Sequence, residues 1–225
     1  MYAAAHTSLA LIAKRQHLTV SLVALMVTAQ AAEVLWVGLT SLGIEHPTVD
    51  TQGALHLEYL PYSHSLLVGF GIGAALWALL RYVVHRPDIA GVFGCLAASH
   101  IVLDLIQHEP NIRVLPWMAH PTLGLNLQAN PWLDAAVETA LCVACWAYYR
   151  GSLKLLAALI ALNILNLPLM LGGESGATAM AQHRLLLPGV IAVTIVLAWA
   201  VVGRYAHRQT DQQPAHATPR HAVPA

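Results

Sequence analysis

Charge is scarce in this chain. Eleven Lys and Arg balance eleven Asp and Glu among 225 residues, so formal net charge is zero and charged residues make up only 10%. With no basic excess and no basic stripe, a nucleic-acid-binding surface is excluded as the expected function. Cysteine is scarce too. Cys95, Cys142 and Cys145 all fall in apolar helical stretches, which rules out a disulfide framework. Cys142-Val-Ala-Cys145 has redox-pair spacing, but a reactive thiol needs an electropositive, accessible setting, so the pair reads as packing. No internal repeat is visible. Secretory-signal polarity is missing as well: a short apolar run at Met1 to Ala13 precedes Lys14-Arg15 instead of following a basic start, so this segment is expected to stay in the mature protein.

What is present is apolar. Hydrophobic residues make up 57% of the chain and mean hydropathy is +0.60, too high for an ordinary soluble domain of this length. Runs long enough to span a bilayer lie at about 18–44, 62–84, 88–108, 131–149, 152–172 and 185–206. The expected fold is therefore all-α, a polytopic membrane helix bundle of about six spanning helices plus a short amino-terminal helix. Residues 1–206 form the transmembrane domain, and 207–225, rich in Gln, Pro, Ala, Thr and His, form a disordered cytoplasmic tail. With both termini cytoplasmic, Lys14, Arg15, Arg81, Arg86, Arg150, Lys154, Arg204, Arg208 and Arg220 lie inside, and only Arg113 and Arg184 outside. Tyr82, Tyr148, Tyr149 and Tyr205 gather at inner helix ends, and Tyr59, Tyr62, Trp117 and Trp132 near outer ones. Gly69 and Gly73 form a small-xxx-small face for close helix packing. Asn163, Asn166 and Pro168 interrupt the fifth run and are explained by helix-to-helix hydrogen bonding and a kink. The connections Glu45 to Pro61 and Glu109 to Asn130 are long enough to be either functional surfaces or plain loops.

Against that background, the stretch Ser99-His100-Ile101-Val102-Leu103-Asp104-Leu105-Ile106-Gln107-His108 stands out. At about 100° per residue, positions 100, 104 and 108 drift by only about 40° per step, so two imidazoles and a carboxylate share one helix face. Each ionisable group within a span costs roughly 2.5–3.5 kcal/mol, so three on one face call for a partner, an ion or water. Glu33 lies deep in the first run, His64 opens the second, Glu138 lies inside the fourth a turn after Asp134, and His6 is in the short first helix. At about 1.5 Å per residue, Glu33 and Asp104 sit roughly 22 and 24 Å from their inner ends, with His100 at about 18 Å and His64 at about 30 Å. All four therefore occupy the outer half. Lys14 ties His6 only about 12 Å up, so it reaches the cluster only if its helix is tilted or re-entrant.

Mixed imidazole and carboxylate ligands suit a divalent ion such as Zn, Mn, Fe or Mg. Such an ion activates water and polarises a carbonyl or phosphoryl oxygen, which makes hydrolysis the natural reaction class. Glu138 is a candidate proton acceptor, and His108 or Ser65 a candidate for holding the leaving group or supporting the ligands. Plainer readings stand beside these: His64 and His108 as interfacial residues, Glu138 as a helix-pairing group, and Asp134 as solvated near the interface. His17, His46, His56, His85, His120 and His183 have no expected role.

Ser63-His64-Ser65-Leu66-Leu67, the Ser-His-x-x-Leu-Asp-x-x-x-His of 99–108 and His6 in an amino-terminal helix resemble a family of bacterial inner-membrane proteins described as metal-dependent hydrolases. Gly43-Ile44-Glu45, Gly124-Leu125-Asn126-Leu127 and Glu138 extend the likeness, which covers roughly residues 1 to 150. It implies an all-helical membrane fold with a metal held by His6, His64, His100 and Asp104, with His108 beside them and Glu33 where members usually carry Asp. Two departures stand out: Glu109-Pro110-Asn111 replaces Arg-Pro-Asp, and Asn126 interrupts the Gly-Leu-Gly-Leu run, after which a usual aromatic is missing. The expectation is a membrane hydrolase using a divalent Zn, Mn or Mg ion on an ester or phosphoester of a small or lipid-like substrate from the bilayer. Two alternatives remain, an ion- or proton-coupled transporter and a haem or quinone protein using His64 and His100.

Overall fold

The computed structural model describes residues 3–49, 55–170, 183 and 185–206, without the side chains of 47–49, 55–59 and 168–170. The tail expected from residue 207 onward lies outside the described residues, as does the end of the fifth apolar run beyond residue 170. The described helices are α1 (Ala3–Gln16), α2 (Leu22–Ala29), α3 (Ala31–Leu42), α4 (Leu66–Ala78), α5 (Pro87–Gln107), α6 (Pro131–Tyr149), α7 (Leu153–Met170) and α8 (Leu186–Tyr205). The all-α expectation holds. Two short antiparallel hairpins occupy the long connections: β1 (His46–Val49) with β2 (Leu55–Tyr59), and β3 (Ile112–Arg113) with β4 (Thr122–Leu123).

Three described segments are long and apolar enough to cross a membrane: Leu66–Val83, Pro87–Gln107 and Leu186–Tyr205. The α2–α3 pair is a fourth if its two halves count as one span. Two of the six expected runs miss this standard for visible reasons. In α6, Asp134 and Glu138 interrupt a 19-residue helix, and of the fifth run the part assessed among the described residues is Leu153–Leu167.

The run expected as one helix over 18–44 is broken. Between α2 and α3 the axis turns by 59° at Gln30, which leaves helical geometry with φ −113° and ψ 21°. Its buried side chain donates from Nε2 to the carbonyl of Ala3 at 3.1 Å, so the amide that interrupts one helix fastens the start of another. Beyond the break, α3 ends at Gly43 with φ 75°, whose N–H returns to Thr40, while Ile44 N returns to Leu39. This is the left-handed stop for which glycine is favoured.

Against expectation, α1 is the centre of the bundle. Ala4, Ala5, His6, Thr7, Ser8, Ala10 and Leu11 are all buried, and α2, α5, α6, α7 and α8 surround it. Its Ala and Ser residues let neighbours approach closely. Lys14 is half-buried and donates its ammonium to the carbonyls of Leu18 and Val20. Gly69 and Gly73 place α4 directly against α5: a Cβ on Gly73 would lie 2.6 Å from the Gly94 carbonyl oxygen, and one on Gly69 would lie 2.5 Å from Ile101 Cβ.

The 109–130 connection is pinned over the end of α5. Leu125 N donates to Leu105 O and Asn126 N to His108 O, each at 2.8 Å. Gly124 has φ +155° and leaves no room for a Cβ, which would fall 2.2 Å from the Glu109 carbonyl. Asn126 takes φ 59°, the left-handed conformation that Asn tolerates best after Gly.

Candidate metal centre

Three helices and one loop converge on a single buried cluster. His6 comes from α1, Glu33 from the first turn of α3, His100 and Asp104 from α5, and His64 from the segment leading into α4. Asp104 lies in the middle: its Oδ1 is 3.3 Å from His6 Nε2, and its Oδ2 is 3.2 Å from His100 Nε2 and 3.6 Å from His64 Nε2. Glu33 Oε2 closes the other side, 3.0 Å from His64 Nε2 and 3.6 Å from His100 Nε2. The rings of His6 and His100 stack with centroids 3.8 Å apart. All of the cluster except Glu33 is about 95% buried or more.

Two sets, His6–His100–Asp104 and Glu33–His64–His100, each bring their ligand atoms within 4.8 Å of one another, close enough to hold a metal ion. The spacing is also of the right size. Ligands about 2.0–2.2 Å from an ion stand about 3.0 Å apart in octahedral and about 3.4 Å apart in tetrahedral coordination, and the five contacts here run from 3.0 to 3.6 Å.

Proton bookkeeping adds an electrostatic argument. His100 Nδ1 lies 3.0 Å from the carbonyl oxygen of Ala29, which can only accept, so Nδ1 carries the proton in neutral His100 and Nε2 presents a lone pair. That carbonyl sits at the α2–α3 break. His100 Nε2 and both ring nitrogens of His6 are buried without a hydrogen bond among the described residues. A lone pair facing carboxylate oxygens at this depth is repulsive unless a proton or a cation lies between them.

A cavity of about 130 Å³ opens on the cluster, lined on its polar side by His6, Glu33, His64, Asp104 and His108. The opposite wall is apolar, with Trp36, Leu60, Leu187, Ile191 and Ile195. His108, half-buried at the C-cap of α5, stands with its ring centroid 6.1 Å from that of His64. Glu138 is buried on α6 but does not line this cavity. Its neighbour Asp134 accepts from Gln107 Nε2 at 2.9 Å, tying α6 to the end of α5, and is buried rather than solvated. Ser65 caps α4, accepting from Val68 N, and so serves the helix end.

Two contributions were missed by sequence reasoning. α8, which carries no recognised motif, lines the cavity through Leu187, Ile191, Thr194 and Ile195. The spacing of these residues, with one Thr in an apolar run, was the available signal. Glu45 is fully buried and accepts three hydrogen bonds from Tyr62 and Ser63, yet it reads in sequence as a loop residue.

No family model matches the sequence, and no solved structure matches it. A segment is similar to Protein NDRG2 of Pan troglodytes, 34% identical over 89 residues. This covers 38% of the present chain and 22% of that protein, so the chain spans less than a quarter of the relative it matches. A likeness of that extent assigns no family and does not bear on the cluster.

Proposed function

We propose that this chain is a membrane-embedded hydrolase dependent on a divalent metal ion, held by His64, His100, Asp104 and Glu33 with His6 completing the set. The observation that carries the reading is the convergence of three imidazoles and two carboxylates at 3.0–3.6 Å in a buried pocket. A Zn, Mn or Mg ion bound there would lower the pKa of coordinated water and polarise a carbonyl or phosphoryl oxygen. The chain's own residues supply the rest. Glu138, expected as the proton acceptor, does not line the cavity, whereas His108, expected to hold the leaving group or support the ligands, does; in this reading His108 therefore takes over the proton as well. The apolar wall of Trp36, Leu187, Ile191 and Ile195 suits the hydrocarbon part of a lipid-like ester or phosphoester.

The bilayer is part of this reading. The segment Leu66–Val83 leaves Leu67, Phe70, Leu79 and Val83 between 46% and 68% exposed at a mean hydropathy of 1.8, a surface suited to lipid. We take the six apolar runs as six crossings, both termini as cytoplasmic from the distribution of Lys and Arg, and the bacterial inner membrane as the location implied by the family resemblance. Metal analysis of purified protein tests the centre: the wild type should retain about one ion per chain, and His100→Ala and Asp104→Ala should lose it. Equal content in all three removes the site. A screen of lipid and phosphoester substrates with added Zn, Mn or Mg tests the activity.

One observation favours a second reading, an ion- or proton-coupled transporter. The 59° break between α2 and α3 adjoins the cluster, and broken helices beside buried charges are a recurring device of ion carriers. Ion flux in reconstituted vesicles, abolished by Asp104→Asn, would select this reading over hydrolysis. A haem is disfavoured by size, since about 130 Å³ falls well below the 300–1,000 Å³ of pockets for larger ligands.

A further inference from the structure

We infer that Glu45 and Ser63 form a positioning relay that fixes the tautomer of His64, so that its Nε2 lone pair is the atom offered to the cluster. This rests on the metal-centre reading for its purpose, but not for its geometry. Glu45 Oε1 accepts from the backbone N–H groups of Tyr62 at 2.7 Å and Ser63 at 2.9 Å. Its Oε2 lies 2.6 Å from Ser63 Oγ, and Ser63 Oγ lies 2.7 Å from His64 Nδ1. Glu45 and Ser63 are fully buried, so no solvent competes for these bonds.

The direction of each bond follows from counting hydrogens. Glu45, taking two N–H groups on one oxygen, acts as an acceptor and receives the Ser63 hydroxyl proton on the other. A serine hydroxyl has one proton. Once it is given to Glu45, the 2.7 Å contact to His64 must be donated by the imidazole, which puts the proton on Nδ1. His64 Nε2 then faces Glu33 Oε2, 3.0 Å away, and offers a lone pair to an ion placed between them; without an ion that gap is filled by a second proton on the ring. His100 is set the same way by the Ala29 carbonyl, so the two imidazoles reach one tautomer through different partners. An outer carboxylate that orients a metal-binding imidazole is worth about 10–100-fold in affinity.

The relay also explains the position of Glu45. It follows the α3 stop at Gly43, and its three bonds close the 46–61 excursion onto the entry to α4. The same carboxylate thus joins the two ends of the hairpin segment and sets the ligand carried at one of them.

Ser63→Ala isolates the tautomer from the clasp, because both backbone bonds to Glu45 remain. Ser63→Thr keeps the hydroxyl. Nitrogen-15 resonance of histidine-labelled, metal-free protein in nanodiscs, with His64 assigned by substitution, should show a proton on Nδ1 in wild type and Ser63→Thr and its loss, leaving the Nε2–H tautomer, in Ser63→Ala. In parallel, Zn²⁺ titration should show Ser63→Ala binding about 10–100-fold more weakly, with Ser63→Thr close to wild type. A wild-type His64 found without a proton on Nδ1 overturns the inference even if Ser63→Ala fails to fold, and so does a retained Nδ1 proton in a folded Ser63→Ala. If the wild type shows the proton on Nδ1, lost in Ser63→Ala, but binds neither Zn²⁺ nor Mn²⁺, the relay stands and the metal-dependent function falls.

Discussion

Replacing Asp104 by Asn changes one atom at the centre of the cluster and keeps its shape. Asp104 approaches all three imidazoles, at 3.3, 3.2 and 3.6 Å, and it is 1% exposed. A unit charge pair 4 Å apart is worth about 4 kcal/mol at an effective dielectric constant of 20, and a divalent ion doubles that. The Asn carbonyl returns part of it. A loss of about 4 kcal/mol is therefore a conservative expectation, equivalent to about 10³-fold in affinity. The readout is thermal unfolding in detergent with and without added Zn²⁺. At free ion about 100 times its dissociation constant, the wild type should gain about 2.7 kcal/mol, a rise of about 5–10 °C in apparent Tm for a chain of this size. At the same concentration Asp104→Asn should gain less than about 0.1 kcal/mol and show no shift. A wild type indifferent to both ion and chelator, or a variant whose shift equals that of the wild type, would refute the reasoning.

Two further outcomes test the packing and the protonation state. Gly73→Leu should prevent recovery of a monodisperse protein, because its Cβ would fall 2.6 Å from the Gly94 backbone oxygen, while Gly71→Leu, with nothing within 4 Å, should behave as wild type by size-exclusion chromatography. Bound ion should be lost as the pH is lowered, since His6, His64 and His100 ligate only through an unprotonated nitrogen and protons compete with the ion. Retained ion content at pH 5 would count against the imidazoles as ligands.

The sequence showed α4, α5 and α8 and the shared face of His100 and Asp104, because each is a matter of run length or helical period within one segment. Such signals end where separate segments meet. Lys14 suggested that His6 lies short of the cluster unless its helix is tilted or re-entrant, yet α1 lies buried among five helices and His6 stands 3.3 Å from Asp104. Glu45 and Ser63 are separated by a hairpin whose closure no local pattern encodes, so the relay between them was invisible although both residues belonged to recognised motifs. The break at Gln30 was hidden because the apolar run continues on both sides of it. That break is also what joins the fold to the site. Gln30 anchors the start of α1, three residues before His6, by donating to the Ala3 carbonyl. The Ala29 carbonyl at the same bend sets the tautomer of His100. The turn into α3 carries Glu33 against His64 and His100. An uninterrupted helix over 18–44 would be apolar enough to cross a membrane, but it would lack the bend at which these three contacts to the cluster converge.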